Sequence, residues 1–528
     1  MISGGCAHKI EVDNLENGEI IRHKLLLIKG QIRHQTISTS VSATHATSKC
    51  TGQQTIALLV KSQSVEYKRK HSTGRLVQQQ SQISRNGQFK LLTDLSQHVA
   101  ESENQQLPLK LELKFCNIVQ HLQIFYESVT LNQNSYQLQP LYIVCGDRKP
   151  SKEELHENCE KINLNLHLVQ SIYAEQLRSA GFGRRTFALH KGCQVFETRQ
   201  RCEQVWQQNE DNLWQNFAQE LLNSCAWGEK PNLKFVAFIG CTKYDGEKVA
   251  ASEDFSYANI RRHLKGHAAL GGGGLALFGT GYFYAWPKNV SEISSCFSNI
   301  KPVDLTLFPD DSNYRRTHGG VYATTLGSVV HEIGHTFDLG HTKDGVMGNG
   351  FDYINQVFTT DNLTECLPDR IIQQQAPNAN VAQPANRPRF TQLKRTSNNF
   401  LQKYHEQKSS EPFYFTRNCL IILAHHKWFT YLNCNNGGAE KAEDKLIIYD
   451  AISNCVISKA VESHPLCLIE VRSVDNSLVK CWYEMQSDKD KNAIYKFQLP
   501  REAIEAIQKN HYLFVLTQTG LITRLCEG

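Results

Sequence analysis

The sequence predicts an α+β protein of several domains. Its 528 residues exceed the usual length of one domain, and short apolar runs separated by polar turns near both ends predict strands. In the middle of the chain, apolar residues recur at helical spacing between further strand-like runs. A stretch at 373–389 that is rich in Gln, Asn, Pro and Ala predicts a flexible linker. The pattern indicates a mixed α/β unit flanked by two β-rich regions.

The first region, residues 1–137, has the pattern of a β-sandwich-like domain. It contains apolar runs of strand length, each bounded by polar residues. These runs occupy residues 25–28, 56–60, 89–92, 109–113 and 122–125. We expect them to form two packed sheets.

The second region, residues 138–372, predicts an α/β domain. The expected elements are strands at 141–145, 235–239, 275–278 and 282–286 and helices at about 153–178 and 322–337. The first helix is expected because Ile162, Leu166 and Val169 recur on one face of it. Parallel and antiparallel strands are both expected in this unit.

The remaining residues predict a linker at 373–409, which could include a helix, and a β-rich C-terminal domain at 410–528. Strand-like runs of this domain occupy residues 420–424, 445–449, 466–471 and 512–516. His425 and His426 could suggest a metal site, but adjacent side chains on a strand point to opposite faces. We therefore expect one core and one surface position.

The most informative segment of the chain is His-Glu-Ile-Gly-His at 331–335. On a helix, His331 and His335 lie roughly 40° apart on one face, so that both imidazoles can bind one metal ion. Glu332 lies about 100° away and can act on a bound water molecule. A catalytic zinc ion takes three protein ligands and keeps one position open. The segment therefore predicts one zinc ion per chain and a third ligand close by.

His341 is the nearest candidate for that third ligand. A continued helix would carry it about 240° away from His335, so the chain must turn between them, and Gly340 can adopt the left-handed conformation of a helix C-cap. Two other interpretations stay open. The histidines could be solvated side chains of an amphipathic helix without metal, or the zinc could be purely structural. Structural sites usually take four Cys or His ligands, however, and no Cys lies near this helix.

The segment from His331 to His341 resembles the metzincin clan of zinc endopeptidases, whose motif is H-E-x-x-H-x-x-G-x-x-H followed by a methionine-containing turn. More narrowly, residues 331–352 and the glycine-rich run 271–279 are similar to a poorly characterised eukaryotic family of zinc metallopeptidases, some of which carry a jacalin-like lectin domain. The similarity covers residues 1 to about 370. It implies a metzincin-like α/β catalytic unit. The C-terminal region shows no jacalin-like glycine repeat, so carbohydrate binding does not carry over.

The resemblance implies roles for further residues. His341 would be the third ligand, and Met347, in the glycine-rich turn at 344–350, would form an apolar floor under the metal. Tyr353 could assist the oxyanion, or it could be an ordinary packed tyrosine. Asp338 stands where the clan usually has glycine. Its carboxylate could replace His341 as a ligand or could orient a ligand histidine.

The predicted activity is that of a metzincin-like zinc metalloendopeptidase. Zinc lowers the pKa of its water to about 7, and Glu332 would take the water's proton during attack on the carbonyl and pass it to the leaving amine. The resemblance also implies that an extended peptide or protein substrate binds along an edge strand just before the active-site helix, where the β-prone runs 275–278 and 282–286 lie. Two alternatives are a zinc-containing scaffold without turnover and an amidohydrolase for non-peptide substrates. The intact Glu332 argues against the scaffold.

Composition narrows the partners and the compartment. A net charge of +5 is mild for this length and gives no indication of nucleic-acid binding. No apolar run is long enough to span a membrane, and the N-terminus lacks a signal-peptide core. Seventeen Cys without C-x-x-C pairs suit reduced thiols. We expect a protein of the cytoplasm or nucleus that is not secreted, with the flanking β-rich domains available to bind a protein partner.

Overall fold

The computed structural model describes residues 8–34, 54–62, 78–98, 106–127, 135–190, 192–228, 230–360, 407, 410–429, 446–459, 463–485 and 493–525. Helices and several separate sheets occur together in these residues, which confirms the α+β class. Apart from residue 407, the predicted linker lies outside the described residues. The domain boundaries remain predictions.

The first region forms two sheets around one core. Its strands are β1 (His8–Val12), β2 (Ile20–Ile21), β3 (Leu25–His34), β4 (Thr55–Ser62), β5 (Gln78–Gln82), β6 (Gln88–Asp94), β7 (Leu107–Phe115) and β8 (Ile118–Tyr126). One sheet has the order β1-β3-β6 and the other β2-β8-β7-β4-β5. Ile28 and Leu91 of the first sheet share a core with Leu58 and Leu111 of the second. All strands expected from this region's sequence are therefore present.

A five-stranded sheet forms the centre of the protein. Its strands are β9 (Gln137–Cys145), β10 (Gln194–Thr198), β11 (Leu233–Ile239), β14 (Ala269–Gly272) and β15 (Leu275–Gly279), and β12 (Lys243–Tyr244) pairs with β13 (Leu264–Lys265) apart from it. The order is β10-β9-β11-β15-β14; the first four strands are parallel, and β14 is antiparallel at one edge. Every residue of β9 is buried, as expected for a parallel sheet covered on both faces.

Helices cover both faces of this sheet. They are α1 (Lys152–Ser179), α2 (Cys202–Gln207), α3 (Glu210–Leu222), α4 (Gly246–Ala251), α5 (Tyr257–Arg262), α6 (Ile293–Phe297) and α7 (His318–Thr336). The predicted long helix is α1, which begins after Ser151, whose side chain accepts a hydrogen bond from the Glu154 amide. On one face, Ile162 of α1 and Val329 of α7 belong to the same core. On the other face, Phe217 of α3 packs in a separate core.

Helix α7 carries the histidine motif and is buried almost throughout. It begins after Thr317, whose hydroxyl accepts a hydrogen bond from the Gly320 amide, so the helix starts earlier than the sequence predicts. A Cβ at Gly327 would lie 2.8 Å from the carbonyl carbon of Phe351. Glycine at this position therefore lets the chain after the motif pack directly against the helix.

Two apolar runs expected as strands fold otherwise. Residues 282–286 form a 3₁₀ turn at Phe283–Ala285, and residues 420–424 lie within helix α9 (Arg417–His425), which follows the short helix α8 (Asn355–Phe358). Both predictions were wrong because a short run that is apolar at every position has no period that separates a buried helix from a buried strand. His426 therefore follows a helix and not a strand, and its side chain is buried.

The C-terminal region has two small sheets and a helix. Its elements are β16 (Ile447–Asp450), β17 (Cys455–Ser458), β18 (Leu466–Ser473), β19 (Val479–Glu484), β20 (Lys496–Gln498), α10 (Arg501–Ile507), β21 (His511–Thr517) and β22 (Ile522–Leu525). The sheet orders are β16-β17-β20 and β19-β18-β21-β22. The turn between β18 and β19 reaches the histidine motif of the central unit, because the amide of Val479 donates to the carbonyl of His341 at 2.8 Å.

Candidate metal centre

Three histidine side chains meet at the C-terminal end of α7. The Nε2 atom of His335 lies 3.0 Å from Nε2 of His331 and 3.1 Å from Nε2 of His341. Among the described residues, these three histidines form a group whose ligand atoms lie within 4.8 Å of one another. Ligands about 2.0–2.1 Å from a tetrahedral zinc ion would be about 3.3–3.4 Å apart, so the three nitrogens need only a small adjustment to bind one ion.

The other ring nitrogen of each histidine bonds to a backbone carbonyl. Nδ1 of His331 lies 2.8 Å from the Val346 carbonyl oxygen. Nδ1 of His335 lies 2.9 Å from the Leu339 carbonyl oxygen, and Nδ1 of His341 lies 2.7 Å from the Asn476 carbonyl oxygen. A carbonyl only accepts, so each Nδ1 carries the proton and each Nε2 keeps its lone pair. Three lone pairs pointing at one another are repulsive without a cation between them. The donor set therefore fits a divalent metal.

A tight turn at the end of α7 brings His341 back to the helix. The amide of Leu339 donates to the Gly334 carbonyl, the amide of Asp338 donates to the His335 carbonyl, and Asp338 has a φ of +62°. This is a Schellman motif with aspartate at the left-handed position that usually holds glycine. The expectation that Gly340 supplies the left-handed residue was wrong, because the turn comes two residues earlier. Gly340 instead permits a close approach: a Cβ there would lie 2.6 Å from the Ser477 carbonyl oxygen.

The side chain of Asp338 interacts with the C-terminal region. Its Oδ2 lies 3.4 Å from Nε2 of His426, and its Oδ1 lies 3.4 Å from the guanidinium of Arg524. Burial acts to raise the pKa of Asp338, but the His426 hydrogen bond and the charges of Lys234 and Arg524 outweigh it and hold this pKa at about 2. Asp338 is not in the group of converging ligand atoms found among the described residues. Its ionised carboxylate fixes the turn that carries His341.

Glu332 is buried beside the edge strand of the central sheet. Its Oε2 accepts a hydrogen bond of 2.9 Å from the amide of Gly271 in β14. A Cβ at Gly271 would lie 2.6 Å from the carbonyl carbon and 2.8 Å from the Cα of Glu332. Glycine at position 271 therefore lets the edge strand approach the motif helix closely. The edge strand and the motif helix fix this carboxylate together.

Met347 and Tyr353 lie on the chain that returns under α7. Met347 is 1% exposed, and its Sδ would lie 2.7 Å from a Cβ at Gly334, which places it against the helix turn between the two motif histidines. The Met347 carbonyl accepts from the Thr342 amide, which closes the predicted turn. Tyr353 is buried, and its ring lies under the guanidinium of Arg315 at 4.8 Å.

The backbone contact that orients His341 comes from residue 476, which lies 135 positions further along the chain. Arg472 of the same hairpin donates to the Asp338 carbonyl at 2.9 Å and forms an ion pair with Glu470 at 2.5 Å, both side chains being fully buried. Sequence reasoning missed this support. A backbone carbonyl leaves no residue-type signal, and only the buried charge pattern of β18 could have suggested it.

A family profile described as "Putative peptidase family" matches residues 9–424. The chain belongs to this family. The matched residues include all three histidines and Glu332. The hairpin that orients His341 lies beyond the matched residues.

Two yeast relatives carry the description "Putative zinc metalloproteinase". One, from Saccharomyces cerevisiae, is 35% identical over 101 residues, which are 18% of this chain and 14% of that protein. The other, from Schizosaccharomyces pombe, is 24% identical over 230 residues, which are 41% of this chain and 36% of that protein. The chain thus spans well under half the length of these relatives.

Among solved structures, OgpA from Akkermansia muciniphila is similar to this chain with a TM-score of 0.39 and 12% identity, covering 75% of this chain and 94% of that one. A second structure of OgpA contains an O-glycopeptide substrate. Within the described residues, no helix combines the length and apolar character that a membrane span requires.

Proposed function

We propose that this protein is a zinc-dependent metalloendopeptidase of metzincin-like architecture that hydrolyses peptide bonds. One observation carries the proposal: three imidazole Nε2 atoms, each with its Nδ1 held by a carbonyl, converge at the end of the helix that also carries the buried side chain of Glu332. A protein that needed only metal affinity would have no chemical use for Glu332.

We propose His331, His335 and His341 as the ligands of one zinc ion. Bound there, zinc would lower the pKa of a water molecule to about 7 and polarise the substrate carbonyl. The three carbonyl partners hold the imidazole rings in the tautomer and orientation that ligation requires. Met347 supports this arrangement from below, where it packs against the helix at Gly334.

Glu332 is the proposed general base and acid. It takes the proton of the attacking water as the oxygen–carbon bond forms, and it donates that proton to the amine as the carbon–nitrogen bond breaks. The amide of Gly271 holds Oε2 at 2.9 Å and thereby fixes the direction of the carboxylate. This hydrogen bond also places Glu332 next to the proposed peptide-binding strand, because Gly271 belongs to β14.

We propose that an extended peptide binds along β14. This strand is the edge of the central sheet and is antiparallel to β15. The outward amides of Ala269 and Gly271 already donate to the carboxylates of Glu210 and Glu332, so an added strand would pair with the outward carbonyls of β14. Since Glu332 contacts the same strand, a peptide paired with β14 would lie beside the catalytic carboxylate. The flanking β-rich domains could add contacts to a protein substrate or partner.

We also propose that the protein resides in a reducing compartment, either the cytoplasm or the nucleus. The cysteines of the described residues are free thiols, and several of them are buried in the cores that hold the site together. Localisation of a tagged full chain in its own cells would test this, and an exclusively secreted protein would contradict it.

The experiment compares wild type with Glu332→Gln and with Glu247→Gln, an exposed glutamate remote from the motif in sequence. Each protein is assayed for zinc content and for cleavage of a denatured-protein mixture, with and without a chelator. We expect zinc in all three proteins and loss of cleavage in Glu332→Gln alone. Zinc without any Glu332-dependent cleavage would instead indicate a scaffold or an enzyme for non-peptide amides, and chelator-insensitive cleavage would contradict the zinc mechanism.

A further inference from the structure

A second cluster of metal-binding side chains lies away from the histidines. The Sγ atoms of Cys145, Cys202 and Cys241 all lie within 4.8 Å of one another, and those of Cys145 and Cys241 are 3.0 Å apart. Cys145 is 1% exposed and Cys241 is 5% exposed, whereas Cys202 is half-buried. These thiols are separated by tens of residues in the chain, so the fold and not the local sequence brings them together.

The topology of the central sheet explains the meeting point. Cys145 is the last residue of β9, and Cys241 follows the end of the neighbouring parallel strand β11. Cys202 is the first residue of α2, and its amide donates to Oδ1 of Asp147 at 2.9 Å. The carboxyl ends of two parallel strands and the start of one helix thus converge, and Asp147 adds a carboxylate at the same edge.

This cluster and the histidine site lie on opposite faces of the sheet. Cys145 and Cys241 belong to the core that contains Phe217 of α3. The core on the other face contains the alternate β9 residues Tyr142 and Val144 together with helix α7. Side chains of a strand alternate between faces, so the thiols cannot reach an ion held by the histidines.

We propose that Cys145, Cys202 and Cys241 bind a second metal ion of the thiophilic, closed-shell class, for which Zn²⁺ is the probe. Thiolate sulfurs about 2.3 Å from a tetrahedral zinc ion are about 3.8 Å apart, which lies within the observed spread and requires Cys145 and Cys241 to separate by roughly 0.8 Å. Asp147 or a water molecule beside the half-buried Cys202 takes the fourth position.

Two arginine side chains lie at the edge of this cluster. The guanidinium of Arg148 donates to the carbonyl of Gly240, the residue before Cys241, and Nε of Arg201 lies 3.7 Å from Asp147. A bound cation would supply the positive charge that these sulfurs need, because a metal ion displaces the proton of each thiol that it binds. Because the ion would link the ends of β9, β11 and α2, its role is to fix this edge of the sheet, as structural thiolate sites do.

The test uses the full chain, purified under reducing conditions, with metal content measured for wild type, Cys202→Ser and the exposed-thiol control Cys225→Ser. We expect about two zinc ions per chain in wild type and control and about one in Cys202→Ser, which keeps the helix start and so the amide bond to Asp147. A His331→Ala/His335→Ala variant should retain the thiolate-bound ion, so failure of the peptidase proposal and failure of this one are distinguishable.

Cobalt substitution supplies a second readout, and the wild-type spectrum alone does not depend on whether any variant folds. Thiolate ligands give Co²⁺ a sulfur-to-metal charge-transfer band that imidazole ligands do not give, and we expect this band in wild type and its loss in Cys202→Ser. Absence of the band from wild type, or metal content unchanged by Cys202→Ser, would overturn the proposal. So would a Cys145–Cys241 disulfide found by alkylating the freshly prepared chain without reductant.

Discussion

The close approach of Gly271 to the motif helix makes Gly271→Ala a sharp test of how the base is held. An added Cβ would lie 2.6 Å from the carbonyl carbon and 2.8 Å from the Cα of Glu332. Non-bonded carbon atoms rest about 3.5–4.0 Å apart, so strand β14 or helix α7 must move by about 1 Å. The neighbouring atoms are backbone and cannot rotate away.

Two consequences follow from that displacement. Overpacking of this kind costs about 1–3 kcal/mol of stability. The same movement lengthens the 2.9 Å bond between the Gly271 amide and Oε2 of Glu332. Because misplacing a reacting group by about 1 Å can cost about 10²-fold in rate, we expect kcat/KM to fall by that order. Zinc content should be unchanged, since none of the carbonyls that hold the histidines belongs to β14.

Gly272→Ala is the matched control. No heavy atom outside its immediate neighbours lies within 4 Å of a Cβ at that position, so the same chemical change should leave activity and stability near wild type. Cleavage of the denatured-protein mixture, thermal unfolding and zinc content are measured for both variants. Equal activity and equal melting temperature in Gly271→Ala and Gly272→Ala would refute the idea that this strand positions the base.

Three further predictions concern support of the site and stability. Arg472→Leu leaves the buried carboxylate of Glu470 without its cation, so we expect the free energy of unfolding to fall by about 3–5 kcal/mol. It also removes the bond to the Asp338 carbonyl, so we expect weaker zinc binding at His341 in competition with a chelator. Adding Glu470→Gln should restore stability but not zinc affinity. Burial, with nearby positive charge, lowers the pKa of His23 to about 3 from about 6.5 in the unfolded chain, so stability is lost as pH falls below 6.5. Between pH 7 and 5 the expected loss is about 2 kcal/mol. His23→Leu should remove that part of the pH dependence when unfolding by denaturant is measured. Tyr353→Phe keeps the ring under its guanidinium partner and should change kcat/KM by less than about tenfold, whereas the loss of an oxyanion donor would cost about 10²–10³.

Elements whose signal is local could be predicted from the sequence. The period of apolar residues located α1 nearly to the residue, and the spacing of His331 and His335 placed both on one face of a helix. Predictions failed where the signal is not local. The run 420–424 is apolar throughout and gave no period, so its helix was taken for a strand. The left-handed residue was expected at Gly340, the one glycine between His335 and His341, whereas Asp338 adopts this conformation and His426 and Arg524 contact its carboxylate.

The orientation of His341 is the clearest case of information that the motif does not contain. Its ring nitrogen is held by the carbonyl of Asn476, and its carbonyl accepts from Val479, both beyond the residues that match the peptidase family. Two ligands on one helix are fixed by the helix itself, but a third ligand after a turn has only the contacts that surround it. The C-terminal hairpin supplies those contacts, and the buried ion pair of Arg472 and Glu470 ties it to the turn. We therefore expect the C-terminal region to act on metal affinity without contributing a ligand, an effect that the motif alone does not predict.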